Sequence, residues 1–323
     1  MTLQVVRAAM SALAPGGERG RLSILIFHRV PAVVDPLFPE VPEAGFFERQ
    51  LYWLRDWFNA LPLREGVERL RSRSLPPRAL AITFDDGYGD NESVALPILK
   101  RLGLPATFFV STGFLDGGRM WNDKVIESIR ACEKPQIDLT HCQLGIHDLQ
   151  TIPRRRAAID TILKTIKHLP SAQRSDRVAA ISEAAGTDPV DALMMTSEQV
   201  RRLHRAGMEI GAHTVNHPIL AVLNRDEARR EIAESKEHLE GLLGDRVRLF
   251  AYPNGVPMSD YVADQVQLVR QCGFSAAVST AWGVASAGSD FFQLPRFTPW
   301  DRSAWRYGLR MAQNLRRTEC ATA

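Results

Sequence analysis

Paired cysteines, long apolar runs and a strong imbalance of charge are all missing from this chain of 323 residues. Its four cysteines, Cys132, Cys142, Cys272 and Cys320, show no C-x-x-C spacing and no disulfide-framework density. They read as free thiols in a reducing compartment, and no pair stands at zinc-finger spacing. No stretch approaches the ~20 apolar residues of a transmembrane helix, and the start of the chain has no continuous apolar signal core. The expectation from these absences is a cytoplasmic protein without a transmembrane segment. A short amphipathic start (Leu3, Val6, Met10, Leu13) offers a face for a neighbouring domain or for peripheral membrane contact. The formal net charge of +3 is too small to argue for nucleic acid. Basic residues cluster at 154–156 and 316–317 without interleaved aromatics, so they read as solvated helix faces. What remains is ordinary globular composition, 45% hydrophobic and 24% charged, in a chain long enough to bury a large core without disulfide staples.

Short apolar runs recur at 22–27, 79–84, 106–111, 209–212, 248–251, 276–279 and 292–294. Near-continuous hydrophobicity predicts strands covered on both faces, as in parallel α/β sheets. Helical patterns lie between them. One covers 46–57 with Phe47, Leu51, Leu54 and Trp57 on one face. A capping box at Thr196 and Gln199 opens another that ends before Gly207, and Asn224 with Glu227 opens a third that ends at Gly244. About seven parallel strands alternating with helices predict an α/β fold, a barrel-like arrangement in one catalytic domain spanning 1–323. Its core covers about 22–299, and a C-terminal helix covers about 301–317. The interval 113–195 breaks the rhythm and reads as a helical insertion over the barrel mouth.

Polar candidates fall at the ends of these runs. His28, Asp85 with Asp86, His213, Tyr252 to Asn254, and Arg296 each follow a predicted strand. In a parallel barrel the C-terminal strand ends share one face, where active sites are assembled. His213 and His217, four apart, suit a shared metal, and one carboxylate completes three protein ligands with room for water and substrate. A metal so held acidifies its water and polarises a carbonyl, and the second carboxylate would serve as general base. Asp-Asp-Gly is also good turn chemistry, and a turn lets adjacent side chains aim at one centre where a regular strand would not.

At these residues the sequence resembles the polysaccharide deacetylases, the NodB-homology group of carbohydrate esterase family four. Residues 83–87, Thr-Phe-Asp-Asp-Gly, look like that family's first motif, and 213–218, His-Thr-Val-Asn-His-Pro, like its second. The resemblance implies a distorted (β/α) barrel, with Asp85 as catalytic base and Asp86, His213 and His217 as ligands of zinc or another divalent transition metal. It implies hydrolysis of N-acetyl groups on amino sugars of a polysaccharide, oligosaccharide or glycoconjugate precursor. The third motif departs from the family's Arg-x-Pro-Tyr-Gly, reading Ala-Tyr-Pro-Asn-Gly at 251–255. Arg296 is the substitute candidate for orienting the base, and the main-chain N–H of Asn254 takes the place of the oxyanion donor. The family's late Leu-x-His has become Leu-Pro-Arg at 294–296, which leaves His28, in a Phe-His-Arg-Val setting similar to the poly-N-acetylglucosamine deacetylase branch, as the candidate general acid.

Tyr252, Asn254 and Trp121 are candidate substrate contacts, with Trp282 and Trp300 as further aromatic surfaces near strand ends. Three other readings stand beside the deacetylase. A hydrolase of another N-acyl or cyclic amide substrate would use the same metal centre. Two histidines and a carboxylate also make the facial triad of non-haem iron oxygenases, although oxygen activation needs no spare aspartate. A non-catalytic carbohydrate-binding protein would not need Asp85. None of the readings implies a particular oligomeric state.

Overall fold

A computed structural model describes residues 3–187, 193–298 and 300–323. Residues 188–192 of the expected insertion and residue 299 at the end of the expected core lie outside the described residues. Along the chain the elements are α1 (Leu3–Leu13), β1 (Arg21–Phe27), α2 (Ala44–Trp57), β2 (Asn59–Ala60), α3 (Leu63–Arg71), β3 (Ala79–Phe84), α4 (Leu96–Leu102) and β4 (Thr107–Val110). Then come α5 (Trp121–Ala131), β5 (Gln136–Leu139), β6 (Gly145–Asp148), α6 (Ile152–Ile166) and α7 (Ser171–Ala185). The chain continues through α8 (Ser197–Arg205), β7 (Glu209–Ala212), α9 (Arg225–Leu243), β8 (Leu249–Ala251), α10 (Ala263–Gln271), β9 (Ala276–Trp282), β10 (Ala285–Ser286), β11 (Leu294–Arg296) and α11 (Ala304–Asn314). Two compact units result. One comprises Met1–Val33, Pro42–Asp116 and Met195–Ala323, the other Val34–Val41 and Gly117–Met194.

In the first unit the strand order is β10-β1-β3-β4-β7-β8-β9-β11, with β2 beside β3. Every pairing is parallel except that of β10 with β1. Phe297, just past β11, donates to Ile24 O (2.9 Å) and accepts from Ile26 N (3.2 Å), so main-chain bonds tie the last strand to the first. The result is a sheet nearly closed into a distorted barrel. Alternate residues divide between two cores, as the pleat requires. Leu22, Ile24, Ala79, Ala81, Phe109, Leu249, Ala251, Ala276, Val278 and Leu294 meet inside, with α3 below them. Leu80, Ile82, Phe84, Phe108, Val110, Phe250 and Ala277 face outward onto α2, α4, α8, α9 and α10. Small inward residues keep the barrel narrow, and Phe109 fills it. A Cβ on Gly211 would lie only 2.4 Å from the Phe109 ring, so that glycine is what admits the ring.

Local signals in the sequence act as expected where they are strong. Thr196 with Gln199, and Asn224 with Glu227, form reciprocal capping boxes, and Gly244 ends α9 at φ 66°. Val6 and Met10 of α1 are buried in the outer core. The seventh strand is displaced from 292–294 to Leu294–Arg296. Asp290 Oδ1 accepts the Phe292 N–H and the Asp290 carbonyl accepts that of Gln293, which spends those residues on a turn. Among the described residues no helix is long and apolar enough to cross a membrane.

The second unit has its own core, including Val125, Ile129, Ile137, Leu139, Ile159, Ile162, Val178 and Ile181. It contains the helices α5, α6 and α7, together with a feature that the reading of a helical insertion did not include: β5 and β6 pair as an antiparallel hairpin. Ile137 and Leu139 are buried while Gln136 and Asp138 are exposed, a two-residue period that forms a strand. Left-handed Gln143 (φ 62°) and Gly145 (φ 79°) turn the chain back.

Candidate active site

Three loops at the C-terminal ends of β3, β7 and β8 each contain a non-glycine residue in the left-handed region: Asp86 (φ 78°), Thr214 (φ 63°) and His217 (φ 52°), and Asn254 (φ 57°). Such backbone is costly and clusters at functional sites. At β3 it answers how neighbouring carboxylates share a centre. Asp85 continues the inward series of Ala79, Ala81 and Thr83. The left-handed turn at Asp86 then brings the next side chain to the same place, where both are buried.

Asp86 Oδ1 lies 3.4 Å from His213 Nε2 and 3.3 Å from His217 Nε2. The ligand atoms of these three residues all fall within 4.8 Å of one another. Tetrahedral zinc ligands at ~2.0–2.1 Å from the ion stand ~3.4 Å apart, so the two carboxylate–imidazole separations fit a shared cation. His213 Nδ1 is 2.7 Å from the Ala251 carbonyl, which accepts its proton and leaves Nε2 free as a donor atom for metal. Burial disfavours charge on His213, but Asp85 and Asp86 outweigh it and raise its pKa. Burial dominates at His217, where the charge of His213 adds to it and that of Asp86 opposes it; its pKa falls to about 4. Asp86 is likewise held below the ordinary carboxylate value: burial opposes ionisation, and the His213 hydrogen bond with the charge of His217 reverses that effect.

Asp85 has a different partner. Arg296, wholly buried, donates from Nη1 to Asp85 Oδ1 (2.7 Å) and from Nη2 to Oδ2 (2.6 Å). Its Nε donates to the Ser279 carbonyl (2.9 Å) and its Nη1 also reaches Thr83 Oγ1 (3.2 Å). Burial would raise the Asp85 pKa, yet the charges of Arg296 and His213 and the Arg296 hydrogen bond bring it below the usual value. The two aspartates therefore sit in distinct settings, one facing a fork of guanidinium donors and one facing two imidazoles.

The remaining sequence candidates divide. His28 stands exposed just past β1, close enough for its charge to bear on Asp85, Asp86 and His217. Its loop is held by Asn91, which donates to the His28 carbonyl (2.7 Å), and by Asp90, which accepts from Val30 N (3.1 Å) and Arg29 Nε (2.9 Å). Asn254 uses its carbonyl to accept from Thr280 Oγ1 (2.8 Å), and its N–H has no acceptor among the described residues. Tyr252 must be corrected as a substrate contact. Its ring is fully buried, stacked 3.9 Å from that of Tyr261, and its hydroxyl donates to the Phe292 carbonyl. Trp121 opens α5 in the second unit, with the Arg174 guanidinium 5.0 Å over its ring. Trp282 and Trp300 are about half exposed, their rings 5.4 Å apart.

Sequence reading missed Thr83, Ser279 and Glu231. Thr83 was legible as the inward residue two before Asp85. Glu231 was not, because nothing local signals a helix residue that reaches back to the loop carrying His213.

Residues 72–139 and 157–277 match the family described as polysaccharide deacetylase. The Bacillus subtilis protein YxkH is 22% identical over 278 residues, covering 85% of this chain and 70% of its own. The poly-β-1,6-N-acetyl-D-glucosamine N-deacetylase of Staphylococcus aureus is 28% identical over 127 residues, 37% of this chain, which spans 44% of that enzyme's length. Among solved structures, the Streptococcus pyogenes deacetylase PplD in complex with acetate superposes with a TM-score of 0.61 at 21% identity, covering 92% of this chain and 99% of that one. IcaB from Ammonifex degensii does so with a TM-score of 0.57 at 19% identity, covering 91% and 98%. With the family matched over more than half of its residues, on a backbone that folds like these solved proteins, the chain belongs to the polysaccharide deacetylase family.

Proposed function

We propose that this polysaccharide deacetylase homologue is a metal-dependent N-deacetylase that hydrolyses the acetamide of N-acetylated amino sugars in a polysaccharide, oligosaccharide or glycoconjugate precursor. The observation that carries the reading is that the adjacent aspartates have different partners: Asp86 stands with His213 and His217, and Asp85 is held by Arg296. The similarity to the staphylococcal N-deacetylase supports an N-acetylglucosamine-containing substrate.

Asp86, His213 and His217 would hold the cation, zinc or another divalent transition metal. A divalent ion bound there polarises a carbonyl oxygen and brings the pKa of a water toward neutrality. Asp85 accepts the proton of the attacking water, and Arg296 keeps that carboxylate ionised and aimed. The main-chain N–H of Asn254 donates to the oxygen on which negative charge develops. His28 delivers a proton to the leaving nitrogen as the amide C–N bond breaks, releasing acetate and a free amine. Tyr252 acts only as packing beneath the loop that presents Asn254.

The test is acetate release by metal-replete protein across acetylated mono- and oligosaccharides. Asp85→Asn should lower kcat at least ~10²-fold and keep its metal, whereas His213→Ala should lose both metal and activity. Ring opening of cyclic imides without acetate release from any sugar would refute the proposal.

A further inference from the structure

We infer that Glu231 is a positioning residue for the loop 213–217, setting the distance between the two imidazoles without touching metal or substrate. This rests on the proposed metal centre. Two residues of that loop, Thr214 and His217, are left-handed although neither is glycine. A conformation of that kind persists only where its surroundings over-determine it.

The surroundings act from two sides. Just after β4, Ser111 Oγ donates to the His213 carbonyl (2.9 Å), Thr112 N to that of Thr214 (3.2 Å), and Gly113 N to that of Val215 (2.8 Å). These bonds pin the loop's acceptors. Its donors are pinned largely by one carboxylate. Glu231 Oε2, from α9, accepts the N–H groups of Val215 (2.9 Å) and Asn216 (2.8 Å), while Oε1 accepts Asn216 Nδ2 (2.8 Å). Hydrogen bonds to an ionised carboxylate are the strong kind. No lysine or arginine pairs with Glu231 among the described residues, so the carboxylate is committed to the loop. Helix α9 is itself anchored by buried Ala228, Ile232 and Ser235, which flank the position of Glu231 on its inner face.

The fit between the two sides is close. A Cβ on Gly113 would lie 2.8 Å from both the Val215 carbonyl and Asn216 Oδ1. Loss of the Glu231 carboxylate would free the two middle N–H groups and let the left-handed turn relax, moving His217 relative to His213 and Asp86.

The experiment uses the full chain as wild type, Glu231→Ala, Glu231→Gln and, as a control on the same helix, Glu234→Ala. Zinc affinity is measured by chelator competition, the visible spectrum of the Co²⁺ form reports coordination, and melting in chelator reports the metal-free fold. Glu231→Ala should weaken zinc binding ~10–100-fold and alter the cobalt spectrum while the metal-free protein stays folded. Glu231→Gln, whose amide oxygen still accepts both main-chain N–H groups, should restore most of the affinity, and Glu234→Ala should match wild type. The inference falls if Glu231→Ala binds zinc like wild type, if Gln fails as badly as Ala, or if affinity drops only as far as the folded fraction drops. A wild type that binds no zinc would sink the metal-centre reading itself, a result distinct from an indifferent Glu231→Ala.

Discussion

Replacing Arg296 by methionine should cost the fold about 3–5 kcal/mol, because it strands a buried carboxylate. Methionine roughly fills the space, so little of that cost comes from a cavity. The loss lies in four donated hydrogen bonds, two of them to Asp85, and in the removal of the one guanidinium that, among the described residues, pairs with that carboxylate, a side chain with almost no access to water. Asp85→Leu should be similarly expensive, since it leaves the guanidinium buried without its counter-ion. The double variant should cost less than either single change, about 1–3 kcal/mol for the unpaired Ser279 carbonyl. Urea unfolding in chelator, run as a double-mutant cycle, measures this coupling directly. The sign of the pH dependence follows from the same pair. In wild type the Asp85 pKa is lowered, so its contribution is present above the unfolded value of 3.8 and is lost as the pH falls below it. In Arg296→Met burial prevails and raises that pKa, so the penalty is largest at neutral pH and shrinks on acidification. A single-variant cost under 1 kcal/mol, strictly additive costs, or a gap that stays constant from pH 7 to pH 4 would refute the reasoning.

Gly211→Ala should destabilise by about 1–3 kcal/mol in thermal or urea unfolding, because the new methyl meets the Phe109 ring in a filled barrel. Phe109→Leu in the same chain should recover part of the loss. Glu209, half-buried at the start of β7, has its pKa raised above 4.5 by desolvation, although Arg64 N and Thr107 Oγ1 donate to it. Its unfolded form ionises first, so its contribution falls as the pH rises from about 4.5 through the folded pKa. Glu209→Gln should remove that slope and leave the protein at least as stable at pH 7, read from melts across the pH range.

Hydrophobic runs and caps made the barrel readable because their signals are local. Burial on both faces leaves no polar residue in a strand such as β3 until Thr83, and a capping box satisfies its own helix end within four residues. The hairpin of β5 and β6 escaped notice because two buried residues in four make too short an alternation to stand out from helical surroundings. Tyr252 misled for a related reason. Its place after a strand suggested the mouth of the barrel, but its own side chain is buried in the outer core, stacked on Tyr261.

From the sequence alone came the type of centre: two carboxylates in a turn and two imidazoles four residues apart, all after strand-like runs. That much follows from residue chemistry and from the short range of strand and turn signals. Which carboxylate faces which partner depended on tertiary structure. The near closure of β11 onto β1 carries Arg296 across 211 residues of chain to Asp85, and α9 carries Glu231 back to the histidine loop. No local pattern encodes such meetings, because they arise from barrel closure and helix packing, where side chains distant in sequence share one buried volume.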